Sequence, residues 1–291
     1  MLAVDLDGTL VNSKGEVSPL SAAAVRAARA AGLRIVVCTG RGLAECRRYL
    51  REIGQEAEVV VAGGSIIADP GSGRTVHRFS MDRSLVSDIV GDLLARDHAA
   101  MVLKDPAEAG YEYLVVRGHK GLRLDAVMDW WFETMHLRVR YVDHLHEDDH
   151  PEHSVRVGAF GLDAGLADTA RDLRLRIEGR GHLHHFPAVV GPEHLARLRE
   201  GEAFHILEMF DGRANKWSAV SWLADRDGVD PTRIAAIGDE INDVAMIRGA
   251  GLGIAMGNAI PAVREAAARL APSNDDDGVA FALERLLRGE W

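Results

Sequence analysis

The chain has little cysteine, few aromatic residues, no long apolar run and no surplus of positive charge, and each shortage removes a class of function. Two cysteines among 291 residues, Cys38 and Cys46, exclude a disulfide framework and fit a reducing compartment. Cys38 lies in an apolar run, where packing outweighs thiol catalysis. No apolar run approaches the roughly 18 residues of a membrane span, and the N-terminus carries no signal-peptide pattern. The expectation is a soluble, cytoplasmic protein with no membrane partner. Lys and Arg number 34 against 44 Asp and Glu, a formal charge of −10, and no basic stripe offsets it, which argues against a nucleic-acid partner. An acidic surface also repels anionic substrates at long range, so a phosphate site would have to build its own positive region. At 291 residues the chain exceeds the usual size of one core, and two domains are expected.

What is present is acid at strand ends. Leu2-Ala3-Val4 reads as a short buried strand that runs into Asp5-Leu6-Asp7-Gly8-Thr9-Leu10. Gly8 admits a positive φ, so a turn there lets the two carboxylates diverge around one centre. One can attack while the other moves a proton, and an ionised carboxylate is a usable nucleophile toward phosphorus when a divalent cation neutralises the charge around it. Hard oxygen ligands suit Mg²⁺. The plainer reading is a strand-end turn, since Asp-Gly is common turn chemistry. A second apolar strand, 33–38, enters Thr39-Gly40-Arg41, which offers an anion a hydroxyl and backbone N–H groups; Thr39 is a phosphate ligand or the N-cap of a helix beginning near Leu43. A third, Ile234-Ala235-Ala236-Ile237, ends in Gly238-Asp239-Glu240-Ile241-Asn242-Asp243. Asp239 and Asp243, four apart, could place one carboxylate on a cation and the other just outside its first shell. Lys216, ahead of a helical stretch, reads alone as a surface lysine.

In this order, Asp-x-Asp-Gly-Thr, hydrophobic-Thr-Gly-Arg, Lys and Gly-Asp-x-x-Asn-Asp, the motifs resemble those of the haloacid dehalogenase superfamily, and within it the Cof-type sugar-phosphatase branch. The resemblance covers residues 1–64 and about 208–270, with Ala255-Met256-Gly257-Asn258-Ala259 similar to the branch's closing segment. It implies an α/β fold, a Rossmann-like parallel-sheet core carrying an inserted α+β cap domain of the C2 type. It also implies that Asp5 is the nucleophile that becomes an aspartyl-phosphate, and that Asp7 protonates the leaving oxygen and then activates water. Thr39, Gly40, Arg41 and Lys216 would surround the phosphoryl group, with Asn242 nearby. Asp5, the backbone carbonyl of Asp7, and Asp239 would bind Mg²⁺, and Asp243 would orient Lys216 or a metal-bound water. Positioning and charge neutralisation are most of what phosphoryl transfer requires. The partner implied is a small phosphorylated molecule; the chain is expected to be a monomer or homodimer.

The expected organisation is core over 1–81, cap over 82–208 and core over 209–291. In the core, residues 17–32 read as a helix opened by Ser18-Pro19 and closed by Gly32, with further helices near 216–226, 242–249 and 260–268 and strands at 234–237 and 252–256. Ligands of such open sheets sit beyond the strands' C-terminal ends, where all four motifs fall. The insert has another rhythm: strands at 99–103, 111–117, 137–142, 154–162, 183–190 and 203–209, and helices at 84–96, 122–135 and 165–177. This suggests a mixed sheet with helices on one face. A cap placed after the second motif can exclude water and select the leaving group.

The insert's oddest feature is His144, His146, His150 and His153 among Asp143, Glu147, Asp148, Asp149 and Glu152. That density suits Zn²⁺ or Ni²⁺, although the spacing fits no closed site and an exposed acidic loop explains it. His182 and His184 fall on one face of their strand and His185 on the other. Trp130 and Trp131 read as packing a cap helix, and Trp217 the core. Three positions depart from the Cof pattern. Only four residues precede Asp5, Ala62-Gly63-Gly64-Ser65 stands where Asn-Gly-Ala is common, and Asn215-Lys216-Trp217 replaces Ser-Lys-Gly. Rival readings fit less. A phosphorylation-switched receiver places its acidic pair and phospho-acceptor on different strands, a glycosyltransferase leaves Lys216 unexplained, and a phosphomutase on the same core is separated only by kinetics.

Overall fold

The computed structural model describes every residue except Val189, and the side chains of Pro192 and Glu193 are likewise left undescribed. Along the chain the strands are Leu2–Asp5 (β1), Ile35–Cys38 (β2), Val59–Val61 (β3), Ile66–Ala68 (β4), Thr75–Arg78 (β5), Ala100–Lys104 (β6), Tyr113–Val116 (β7), Val139–Val142 (β8), Ser154–Leu162 (β9), Gly181–Pro187 (β10), Phe204–Asp211 (β11), Ala235–Gly238 (β12), Leu252–Ala255 (β13) and Arg269–Leu270 (β14). The chain divides into two compact units, Met1–His77 with Ala214–Trp291, and Arg78–Arg213.

The first unit is built on one sheet of order β14-β13-β12-β1-β2-β3-β4-β5. From β14 to β3 the strands are parallel, and β4 turns back antiparallel on β3. β1 is apolar because it is central, with β12 on one side and β2 on the other, and all four of its residues are buried. Chain order runs outward from β1 toward β2 and β3, then restarts on the opposite side at β12. The strand order therefore reverses between β1 and β12, where open α/β sheets leave a crevice at the strands' C-terminal ends.

The helix Pro19–Ala30 follows the sequence reading closely. Ser18 caps it by accepting from the Ser21 amide at 2.9 Å, Pro19 occupies the first position, and Ser21, Ala22, Val25 and Ala28 form its buried stripe. Gly32 ends it with φ +88°, while Leu33 N–H returns to the Ala28 carbonyl at 3.0 Å. The helix expected near Leu43 spans Leu43–Glu52, but its N-cap is Gly42 and not Thr39. The stretch expected near 242–249 begins as a 3₁₀ turn, Ile241–Asp243, and becomes helical only over Val244–Gly249. The β4–β5 hairpin and the final helix Gly278–Leu287 carry no expectation from sequence.

The second unit is a six-stranded mixed sheet of order β10-β11-β9-β6-β7-β8, antiparallel except for β7 with β8. Helices Arg83–Ala95 and Asp163–Arg176 bury Leu85, Ile89, Leu93, Leu166 and Leu173 against Val102, Leu114, Val157 and Leu207, all on one face. The third helix, Ala126–Thr134, departs from the expected one-sided arrangement. Its Phe132 meets Tyr113, whose side chain alternates with Leu114 and so lies on the other face; the ring centroids are 5.1 Å apart. The expected strand 183–190 is observed as β10, Gly181–Pro187, and Val189 in that run lies outside the described residues.

Candidate active site

Three parallel strands deliver the motif residues to one end of the first unit's sheet. Asp5 is the last residue of β1 and is 3% exposed. Burial, followed by repulsion from Asp243, holds its carboxyl well above the ordinary range, and Lys216 opposes the rise. The chain then turns through Gly8, whose φ is +75° and where a Cβ would stand 2.3 Å from an Asp239 carboxylate oxygen. Glycine is thus required twice, for the backbone conformation and for the approach of the loop after β12. Next to it the Thr9 hydroxyl donates to Asp239 Oδ1 at 2.7 Å.

Lys216 is 1% exposed, and so is no surface lysine. It opens the helix Lys216–Arg226, whose N-cap Asn215 accepts from the Ser218 amide at 2.9 Å. Its Nζ donates to Asp5 Oδ1 at 2.5 Å and to Asp243 Oδ1 at 2.7 Å. Burial alone would depress its pKa, yet Asp243 and Asp5 together drive it above the ordinary value, so the ammonium is charged at every relevant pH. Asp243 is fully buried and both its oxygens are committed: Oδ1 to Lys216, and Oδ2 to the amides of Asp239 and Glu240 at 3.0 and 3.1 Å. Gly238 permits that tuck, because a Cβ there would meet Asp243 Cγ at 2.4 Å.

Asp7 is bound by Arg41, whose Nε reaches its two oxygens at 3.0 and 2.9 Å and whose Nη2 reaches Oδ1 at 2.6 Å. Arg41, expected beside the phosphate, is therefore committed to the second carboxylate in a fork geometry. Thr39 is fully buried, its hydroxyl accepting from the Arg41 amide at 3.1 Å. Gly40 faces Asn242, with Nδ2 3.9 Å from where a Gly40 Cβ would lie. Among the described residues, Asn242 Oδ1 is buried without a hydrogen-bond partner. Rotation of the amide interchanges its ends, so that buried position can present an N–H to an anion.

Asp5, Asp239 and Asp243 each offer an oxygen, all within 4.8 Å of one another. The donors are all carboxylate, which fits a hard divalent cation. With Asp243 saturated by Lys216 and two amides, Asp5 and Asp239 are the carboxylates left to hold one. Among the protein's own groups, burial is the main force lifting Asp239 to about 6, with Thr9 opposing and Asp243 adding to it.

Three residues that shape the site were given no role by the sequence reading. Thr9 orients Asp239, and its signal was its place directly after Gly8. Asn258 donates to the Gly8 carbonyl at 2.8 Å and lies 3.4 Å from Asp239 Oδ2, tying the 255–259 segment to both loops. Gly64, at φ +102°, lets its loop close on the backbone that presents Lys216: a Cβ would come within 2.1 Å of the Asn215 carbonyl carbon. Trp217 seats its indole on Gly249, where any Cβ would overlap the ring. Cys38 is buried behind the site, and burial pushes its thiol far above the ordinary value, consistent with packing.

A family model described as haloacid dehalogenase-like hydrolase matches residues 2–125 and 197–283. Among curated proteins, the putative phosphatase YxeH of Bacillus subtilis is 28% identical over 299 residues, covering 99% of this chain and 98% of its own. The B. subtilis 5-amino-6-(5-phospho-D-ribitylamino)uracil phosphatase YwtE is also 28% identical, over 304 residues and 100% and 99% of the two chains. The solved structure of a haloacid dehalogenase-like hydrolase from B. subtilis superposes with a TM-score of 0.75 at 26% identity, covering 98% of this chain and 99% of that one.

Proposed function

The chain belongs to the haloacid dehalogenase-like hydrolases and is a phosphoric monoester hydrolase, and from that premise we propose that it cleaves small sugar-phosphate-like monoesters with Mg²⁺ through a phosphorylated Asp5. The observation that carries this reading is the buried ammonium of Lys216 between Asp5 and Asp243. It supplies the fixed positive charge that an acidic protein needs where a phosphate must come to rest.

In the proposed reaction an Asp5 carboxylate oxygen attacks phosphorus as the bond to the leaving oxygen breaks, and Asp7 delivers a proton to that oxygen. Asp7 then takes a proton from water as the water oxygen attacks the phosphorus, freeing Asp5 and inorganic phosphate. Arg41 fixes the direction of Asp7, whose side chain is 39% exposed and would otherwise be loose. Thr39, Gly40 and Asn242 are assigned to the phosphoryl oxygens. A Mg²⁺ ion, held by Asp5, Asp239 and the Asp7 carbonyl, would neutralise charge on the phosphate when bound. We assign the Arg78–Arg213 unit, inserted between the second motif and Lys216, as the cap that chooses the leaving group.

The test is phosphate release from sugar, nucleotide and polyol phosphates with Mg²⁺ and with excess EDTA, using Asp5→Asn as the blank. Metal-dependent release absent from the blank supports the assignment; equal release by Asp5→Asn overturns it. A burst of phosphorylated enzyme with transfer to a second substrate position, in place of release, would mark a mutase.

A further inference from the structure

In the second unit, Asp163, His185 and His205 bring three ligand atoms together from three separate elements. Asp163 begins the helix after β9, His185 lies on β10 and His205 on β11. His205 Nδ1 is 3.1 Å from His185 Nε2 and 3.2 Å from Asp163 Oδ1, and His185 Nε2 is 3.4 Å from the same oxygen. The three form a nearly equilateral triangle. Bonds of about 2.0–2.1 Å in a tetrahedron separate ligand atoms by roughly 3.3–3.4 Å, so one cation can bond all three without moving the backbone.

We propose that Asp163, His185 and His205 form a binding site for a zinc-class divalent transition metal, with a fourth coordination position left for water. The register explains the convergence. His185 pairs directly with Leu207, which puts His205, two residues on, diagonally beside it on the same face. Across β9 the residue opposite His205 is Gly161, which has no side chain to cover the imidazole. Asp163 follows two residues later, and its N–H is fixed to the Ala203 carbonyl at 3.0 Å. Two imidazoles and one carboxylate favour Zn²⁺, Co²⁺ or Ni²⁺ over Mg²⁺, the opposite preference to the all-oxygen cluster at Asp5. Side-chain exposures of 16% for His185, 15% for His205 and 49% for Asp163 leave an entry path.

The alternative for the same atoms is an imidazolium–carboxylate pair that binds no metal, and Co²⁺ titration separates the two. The full chain is stripped with EDTA, desalted, supplied with excess Mg²⁺ to occupy the oxygen site, and titrated with Co²⁺ while visible absorption is followed. The expected result is one Co²⁺ per chain with the intense bands of a tetrahedral, nitrogen-ligated ion. His185→Gln and His205→Gln should each weaken binding at least 10–100-fold, the loss typical of outer-shell partners alone. Asp163→Asn, at a half-exposed position, repeats the test without disturbing the packed strands. His182→Gln and His150→Gln should leave the titration unchanged, and phosphate release with Mg²⁺ should be unaffected throughout. No tetrahedral Co²⁺ spectrum, or one that survives both histidine variants, or one abolished by His150→Gln, overturns the proposal.

Discussion

Asp239→Asn should make the metal-free protein more stable than the parent chain above pH 6, although it removes a residue of the site. Asp239 sits with Asp5 and Asp243 in a buried cluster that contains one ammonium, and in the absence of a cation its carboxyl rises from 3.8 to about 6. A raised folded-state value favours folding only while the proton is bound. That contribution is complete below about pH 4 and is lost as pH climbs through about 6. At roughly 1.36 kcal/mol per pH unit, the gap between the two values sets a ceiling of about 3 kcal/mol, and relaxation around the charge brings the expected difference to about 1–3 kcal/mol. Asp5, also raised, adds in the same direction, because the variant removes one of the charges that press on it. Asn at 239 can still accept from Thr9, so packing is kept. The assay is denaturant unfolding of both chains in EDTA from pH 4.5 to 8, repeated with Mg²⁺. The variant's advantage should grow as pH rises from about 4 to about 6, level off above that, and disappear or reverse with Mg²⁺, which the parent binds more tightly. A pH-independent difference, or a variant less stable in EDTA at pH 8, would refute the electrostatic account.

Other changes probe single contacts. Asp5→Asn should lower kcat by more than about 10³-fold while leaving the circular dichroism spectrum unchanged, and retained turnover would remove Asp5 as nucleophile. Lys216→Ala leaves two buried carboxylates without their cation, and should cost about 3–5 kcal/mol in unfolding as well as activity; a loss below 1 kcal/mol would show that the pair is not the keystone inferred. Gly8→Ala places a methyl group 2.3 Å from Asp239 at a φ of +75°, so isothermal titration should show weakened Mg²⁺ binding, and unaltered affinity would contradict the packing. Arg41→Ala should reduce kcat about 10–100-fold by freeing Asp7, with substrate KM changing less; a large KM increase at constant kcat would instead put Arg41 on the phosphate.

The elements were legible where a local pattern determines them. Pro19–Ala30 combines a cap, a proline, a buried stripe and a terminating glycine within fifteen residues, so its boundaries follow from chemistry that neighbours in sequence can supply. The strands of the second unit were readable for the same reason, since alternation and apolar content repeat along each. The placement of helices on a sheet is a different problem. Nothing in Trp130-Trp131-Phe132 says that Phe132 will find Tyr113 on the far face while Leu85 and Leu166 cover the near one, because that depends on which strand lies beneath each crossover. The short β4–β5 hairpin was missed because β4 has three residues and β5 has no fully buried position, leaving too little periodicity to register.

The site separates along the same line. Residue types at strand ends pointed to Asp5, Asp7, Thr39, Asp239 and Asp243, Lys216 was singled out only by the family resemblance, and the structure brings Asp5, Lys216, Asp239 and Asp243 together. Beyond the Asp243–Lys216 pairing and the shared cation that the resemblance implied, partnership was not legible, since the pairings span tens to hundreds of residues. Arg41 was expected to serve a phosphate and instead grips Asp7; Asn258, read only as part of a closing segment, fastens the Gly8 turn. Gly64 shows why such contacts escape a one-dimensional reading. Its sequence context is an ordinary Gly-Gly turn, and only the approach of Asn215, 151 positions later, makes a side chain there impossible. The same holds for His205, which no local pattern distinguished: one histidine on β11 becomes a ligand only because register sets it beside His185 and the end of β9 sets Asp163 beside both. Charge type and backbone freedom are written residue by residue, whereas coordination is written in strand register, and a register is fixed only when the whole sheet has formed.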